Sequence, residues 1–114
     1  MKFVLPKNEI LRDKKEFNRI FSIGRWVKGR FLVLYFLPSE ERKVGFAVSK
    51  KVSTNVEKNR IRRRLRELYR LNKDLFPENG HFIILGFKDV SDCSWSDLQR
   101  DLRTALRELR ENLG

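Results

Sequence analysis

"TNVEKNRIRRRLRELYRLNK", Thr54 to Lys73, lies between two runs rich in β-branched and aromatic residues, "KVGFAVS" at 43–49 and "HFIILGF" at 81–87. Thr54 followed three residues later by Glu57 is a capping box, so the stretch reads as a helix from about 55 to 73. At 100° per residue Ile61, Leu65 and Leu68 fall within about 60° of one another, and Tyr69 widens that side. This side faces a core. Arg62, Arg63, Arg66, Arg70 and Lys73 share the opposite side with Asn59, and Arg60 and Arg64 flank it. A helix set between two strand-like runs makes the chain an alternation of helices and strands.

Working outward, "RFLVLYFL" at 30–37 is a strand stopped by Pro38, and with 43–49 it reads as a hairpin across a polar turn. Arg25 to Val27 adds a short edge strand. Upstream, Asp13 with Glu16 resembles a capping pair. Phe17, Ile20 and Phe21 follow at i, i+3, i+4 spacing, which predicts a helix over 13–22 that ends before Gly24. Downstream, Asn79-Gly80 marks a turn into the strand at 81–87. Ser94 with Asp97 then caps a last helix whose Trp95, Leu98, Leu102, Leu106 and Leu109 form one apolar stripe. The expected fold is α+β with element order αβββαβα, a two-layer sandwich of helices packed on a small sheet. All 114 residues form one domain, since the chain has room for a single core but not for two.

Composition says what kind of surface covers that core. Hydrophobic residues make up 40% of the chain, including nine Phe, which is enough for a globular protein although 36% of residues are charged. The net charge is +11 and is unevenly spread. Residues 1–73 hold 21 Lys/Arg against 7 Asp/Glu, a net of +14, whereas residues 74–114 hold 5 against 8, a net of −3. From 57 to 73 there are eight Lys/Arg against only Glu57 and Glu67, so intrahelical ion pairs cannot neutralise the stripe. A field this one-sided suits a polyanion, and a preference for Arg suits phosphate, which the guanidinium fork grips in pairs.

Other classes of function find little support. No apolar run approaches the ~20 residues needed to span a bilayer, and Phe3, Val4 and Leu5 before Pro6 are too few for a secretory signal, so the expected location is cytoplasmic with no membrane partner. Cys93 stands alone, which rules out an intrachain disulfide and a thiolate metal cluster. His81 is the only histidine and reads as structural, Glu40-Glu41 sits in a solvated turn, and no Gly-rich phosphate loop or metal-ligand cluster is visible. No catalytic residue, no protein-bound metal and no small-molecule substrate are expected. A small basic ribosomal or DNA-binding protein would share the charge and size, and a direct nuclease is the third and weakest alternative.

The combination of "VGFAVSKKV" with "KNRIRRRLRE" resembles the signature of the bacterial ribonuclease P protein subunit, an Arg-Asn-Arg run that opens an arginine-rich helix after a Ser-Lys-Lys strand end. "LRDKKEFNRIF" resembles the family's first helix and "FLVLYF" its central strand, so the likeness covers nearly the whole chain. Lys58 stands where the family usually has the first Arg, while Asn59 and Arg60 match. The resemblance implies a non-catalytic cofactor of a ribozyme, an endoribonuclease whose RNA subunit removes the 5′ leader of precursor tRNA, with Mg2+ expected in the RNA-containing complex. It also implies a left-handed βαβ crossover, against the usual rule. For the RNA subunit it points to Ser49, Lys50, Lys51, Lys58, Asn59, Arg60, Arg62, Arg63, Arg66 and Arg70. For the leader it points to stacking of unpaired nucleotides on Phe17, Phe21 and Tyr35, although an i, i+4 Phe pair is by spacing alone more often core. Trp26 and Phe46 are candidates to extend that surface.

Overall fold

A computed structural model describes residues 7–113 of the protein. Phe3, Val4 and Leu5, read above as too short for a secretory signal, lie outside the described residues. Seven regular elements follow in chain order: α1 (Lys14–Ile23), β1 (Arg25–Lys28), β2 (Leu32–Leu37), β3 (Arg42–Val48), α2 (Asn55–Leu71), β4 (Gly80–Gly86) and α3 (Trp95–Leu113). Each expected helix starts where its cap was expected. Asp13 accepts from the Lys15 amide at 3.0 Å, Thr54 Oγ1 from Glu57 at 3.2 Å and Ser94 Oγ from Asp97 at 3.1 Å. α2 stops at Asn72, whose side-chain amide donates to the Leu68 carbonyl at 2.8 Å and whose backbone N–H is shared between Leu68 and Tyr69.

The strands form one mixed sheet in the order β1-β2-β4-β3. β1 pairs antiparallel with β2, β2 antiparallel with β4, and β4 parallel with β3. The hairpin expected between 30–37 and 43–49 is therefore not formed, because β4 inserts between the two strands and the true hairpin is β1–β2. The physical reason is burial. Phe82, Ile83 and Ile84 are fully buried, on both faces of the sheet, and need a neighbouring strand on each side. β3 carries Arg42 and Lys43 and is better suited to lie outside it. Gly80 makes the entry to β4 possible: its φ is +131, and a Cβ there would lie 2.3 Å from the Phe36 ring.

The pleat divides the apolar residues between two faces. Leu32, Leu34, Phe36, Val44, Phe82 and Ile84 pack in one cluster with Ile61, Leu65 and Leu68 of α2 and Leu98, Leu102 and Leu106 of α3. This is the expected sandwich. α1 supplies a smaller cover on the other face, where Ile20 packs with Leu11 and Ile83. Each fully buried Leu or Ile contributes about 1.5–3 kcal/mol of transfer free energy, so truncating Leu65 to Ala would cost about 2–5 kcal/mol.

Polar contacts lock the helices to the sheet. Asp101 of α3 accepts from the amides of Arg30 and Phe31, both at 2.8 Å, and so holds the β1–β2 turn. Arg64 of α2 turns inward, donating to the carbonyls of Val90 and Cys93 and lying over the Trp95 ring. Before α1 the chain runs beside β3: Ile10 bridges in parallel to Val44, and the Leu11 amide donates to the Val44 carbonyl at 2.9 Å. This places Glu9, nearly buried, against Tyr69 Oη at 2.6 Å, Lys73 Nζ at 2.7 Å and Arg42 Nε at 3.1 Å.

Candidate nucleic-acid interface

α2 presents its cations to solvent because its apolar side is consumed by the core. Ile61, Leu65, Leu68 and Tyr69 are buried, which turns Asn59, Arg60, Arg62, Arg63 and Arg66 outward, all of them exposed, with Lys58 half-buried. None of the five cations Lys58, Arg60, Arg62, Arg63 and Arg66 lies within ion-pair distance of a carboxylate among the described residues. Arg62 Nη1 instead donates to Asn59 Oδ1 at 3.3 Å. Arg66 places its guanidinium 6.0 Å from the centre of the Phe46 ring.

The stripe borders a groove of about 370 Å³, with Ile10, Leu11 and Phe46 as apolar lining and Arg12, Asn59, Arg62, Arg63 and Arg66 as polar lining. Four of the expected residues, Asn59, Arg62, Arg63 and Arg66, thus meet in one place. Arg12 was missed, since its position follows from the Ile10–Val44 bridge, a contact between segments distant in sequence. Ser49, Lys50 and Lys51 form the turn after β3. The Ser49 amide donates to the Gly86 carbonyl at 2.9 Å, its carbonyl accepts from Val52 at 3.1 Å, and its Oγ accepts from Lys51 at 3.3 Å. Both lysines are exposed.

Two cations of the expected stripe are engaged elsewhere. Arg70 forms a two-pronged ion pair with Glu67, and the hydrogen bond from Arg70 holds the Glu67 carboxyl below its usual range. Lys73 lies beyond the end of α2 and pairs with Glu9. Burial would push the Glu9 carboxyl up, but hydrogen bonds from Lys73 and Tyr69 and the charges of Lys73 and Arg42 outweigh it and leave the carboxyl lowered. Arg64, read as flanking the stripe, is instead a structural residue that satisfies carbonyls after β4.

On the opposite face of the sheet, aromatic side chains gather between α1 and the strands. Phe17 and Phe21 lie one helical turn apart with ring centres 6.1 Å distant, and Phe21 meets the edge of Tyr35 at 4.8 Å in a T-shaped pair. Phe17 and Tyr35 are half-buried against Leu11, Ile20 and Ile83, and Phe21 is 37% exposed. Phe17 reaches down onto Gly45, where a Cβ would stand 2.4 Å from Phe17 Cζ, so the absence of a side chain there admits the ring. Trp26 shares this face, being the direct cross-strand partner of Tyr35. Phe46 does not, because it packs on the α2 side with its ring 6.1 Å from Tyr69.

His81 is half-buried in β4, between Leu37 and Lys43 of the flanking strands. Among the described residues no three His, Cys, Asp or Glu gather into a group able to hold a metal ion, and no helix is long and apolar enough to cross a membrane. Chemically, the molecule offers guanidinium forks of the shape that suits phosphate on one face and a cluster of partly exposed aromatic rings on the other.

Known proteins share this sequence pattern and fold. The family described as Ribonuclease P matches residues 5–110. The chain is 34% identical to the ribonuclease P protein component of Pelotomaculum thermopropionicum over 106 residues, covering 91% of this chain and 95% of that one. It is 43% identical to that of Coprothermobacter proteolyticus over 95 residues, covering 81% and 79%. Among solved structures, the Staphylococcus aureus RNase P protein superposes with a TM-score of 0.72 at 25% identity, covering 89% of this chain and 94% of that one. The Thermotoga maritima RNase P protein shares the fold, with a TM-score of 0.75 at 23% identity and coverage of 88% and 96%. The matched span takes in both the arginine helix and the aromatic face, and the chain belongs to the ribonuclease P protein family.

Proposed function

We propose that this chain is the RNA-binding, non-catalytic subunit of ribonuclease P, and that with the catalytic RNA subunit it removes the 5′ leader from precursor tRNA. The observation that carries the reading is the separation of two surfaces by one sheet: exposed, carboxylate-free Arg60, Arg62, Arg63 and Arg66 on α2, and Phe17, Phe21 and Tyr35 on the other face. The arginine face binds phosphates of the RNA subunit together with Ser49, Lys50, Lys51, Lys58 and Asn59, with Arg70 in a lesser part because Glu67 already holds it. The aromatic face stacks unpaired leader nucleotides, which double-stranded RNA does not present.

Hydrolysis is assigned to the RNA. The Mg2+ expected in the RNA-containing complex is assigned to the RNA as well. The protein works in a cytoplasmic ribonucleoprotein, without a membrane or small-molecule partner. Recovering the tagged protein from cells after crosslinking and sequencing the attached RNA tests the reading. One abundant structured RNA together with tRNA precursors is the expected result, and ribosomal RNA or DNA in their place would overturn it.

A further inference from the structure

Trp26 lies on the edge strand β1 with 61% of its area open to solvent. A large apolar ring in that position has no part in the core. It is also not isolated. The register aligns Trp26 of β1, Tyr35 of β2, Ile83 of β4 and Gly45 of β3 in one row across the sheet. Cross-strand partners point to the same face, so the row is a line of side chains. Phe17 covers its Gly45 end, Phe21 stands against Tyr35, and Trp26 forms the far end. At about 4.8 Å per strand the row spans ~14 Å, but Ile83 is fully buried and Gly45 lies under Phe17, so its open part is the Tyr35–Trp26 end.

The charge around it fits one kind of occupant. Residues 17–39, which contain Phe17, Phe21, Trp26 and Tyr35, hold Arg19, Arg25, Lys28 and Arg30 and no Asp or Glu. Arg19 and Lys28 are exposed. Arg19 shares a hollow with Glu16, Arg25 donates to the Asn112 carbonyl and Arg30 lies beside Asp97 and Asp101. This leaves exposed Lys28, on the same side of β1 as Trp26, to pair with the phosphate of an extended single strand whose base stacks on Trp26. The tight α1–β1 connection fixes the geometry, since a Cβ on Gly24 would lie 2.5 Å from the Ile20 carbonyl oxygen and 2.9 Å from that of Phe36.

We infer that Trp26 is a further stacking position for the leader, extending the platform of Phe17, Phe21 and Tyr35 outward to the sheet edge so that longer leaders bind more tightly than short ones. This rests on the leader-binding reading of the aromatic face. Trp26 takes the nucleotide beyond the one at Tyr35 and sets how much leader the protein senses.

The test is a leader-length series. Affinities of the reconstituted complex for precursors with leaders of one to eight nucleotides are measured with wild-type protein, Trp26→Ala, Trp26→Phe and Tyr35→Ala, with a thermal melt of each protein. In the expected result Trp26→Ala melts like wild type, binds the shortest leaders normally and loses about ten-fold on the longest, the effect of removing one stack, while Trp26→Phe restores most of it. A merely structural cross-strand role would not produce a length-dependent loss. If Tyr35→Ala weakens leader binding but Trp26→Ala binds every length like wild type, the inference fails and the leader-binding reading stands. If neither variant loses affinity at any length, the leader-binding reading fails with it. If Trp26→Ala changes only concentration-dependent self-association, the face belongs to a second copy of the chain and the inference is overturned.

Discussion

Tyr69 donates its hydroxyl to Glu9 at 2.6 Å across 60 residues of sequence, and this bond joins the segment before α1 to the last turn of α2. Through Glu9 it also reaches Arg42 on β3 and Lys73 beyond α2. The groove beside the arginine stripe is lined by the segment that this cluster anchors.

The cluster makes stability depend on acid. Because the Glu9 carboxyl is lowered from 4.5, it contributes stability above that unfolded value, and the contribution is lost as pH falls through the folded value. Wild type should therefore lose more stability than Glu9→Gln between pH 6 and pH 3 in urea melts. At neutral pH Glu9→Ala should cost about 2–3 kcal/mol, since it takes the acceptor from the Tyr69 hydroxyl and Lys73 and leaves Arg42 only the Lys73 and Phe76 carbonyls. Tyr69→Phe should cost about 1 kcal/mol. Equal acid sensitivity in wild type and Glu9→Gln would show that the interaction does not matter.

For the arginine face, exchanging Arg62, Arg63 and Arg66 together for Gln should leave the melt near wild type and weaken binding to the RNA subunit. The slope of log affinity against log salt should become shallower by roughly 0.7–0.9 for each phosphate that is no longer neutralised. Arg64→Ala should behave in the opposite way, lowering the melting temperature with little change of slope, because Arg64 binds the Val90 and Cys93 carbonyls. An unchanged slope in the triple variant would make the stripe an ordinary solvated surface.

Gly45→Ala probes the aromatic face without removing an aromatic. The new methyl group would stand 2.4 Å from Phe17 Cζ and must push the ring outward. Precursor affinity should fall by an amount on the order of one stacking interaction, about 1–3 kcal/mol, while binding of mature tRNA stays as before. Unaltered precursor binding would mean that the position of Phe17 is immaterial.

His81→Ala tests where the chemistry resides. Cleavage by the reconstituted complex should stay within a few-fold of wild type once folding is verified. A fall on the order of 10²-fold or more, the usual effect of removing a general acid or base, would move part of the catalysis onto the protein.

Much of this molecule is legible in its sequence, and the limits have physical causes. Caps at Asp13, Thr54 and Ser94 act within three residues, so helix starts could be read directly. The apolar side of α2 followed from spacing because all four residues are buried on one side. Strand order could not be read in the same way. A polar turn between 37 and 42 looks like a hairpin, and only the demand of Phe82, Ile83 and Ile84 for burial on both sides separates β2 from β3. Glu9, Arg12 and Lys73 were misjudged or missed for a related reason, since their partners are brought close by the tertiary fold. Spacing set Phe17 beside Phe21, but it could not show Gly45 beneath one ring or Tyr35 against the other.

The central claim is that the aromatic face binds the leader while the arginine face binds the RNA subunit. The most direct measurement is the pair of affinities for precursor and mature tRNA in complexes carrying Phe17→Ala or Tyr35→Ala, beside a thermal melt of each protein. Near-normal melts are expected, with a loss of about 1–3 kcal/mol for the precursor and none for mature tRNA. Collapsed melts with equal losses for both ligands would contradict the claim and return Phe17 and Tyr35 to the core around Ile20 and Ile83.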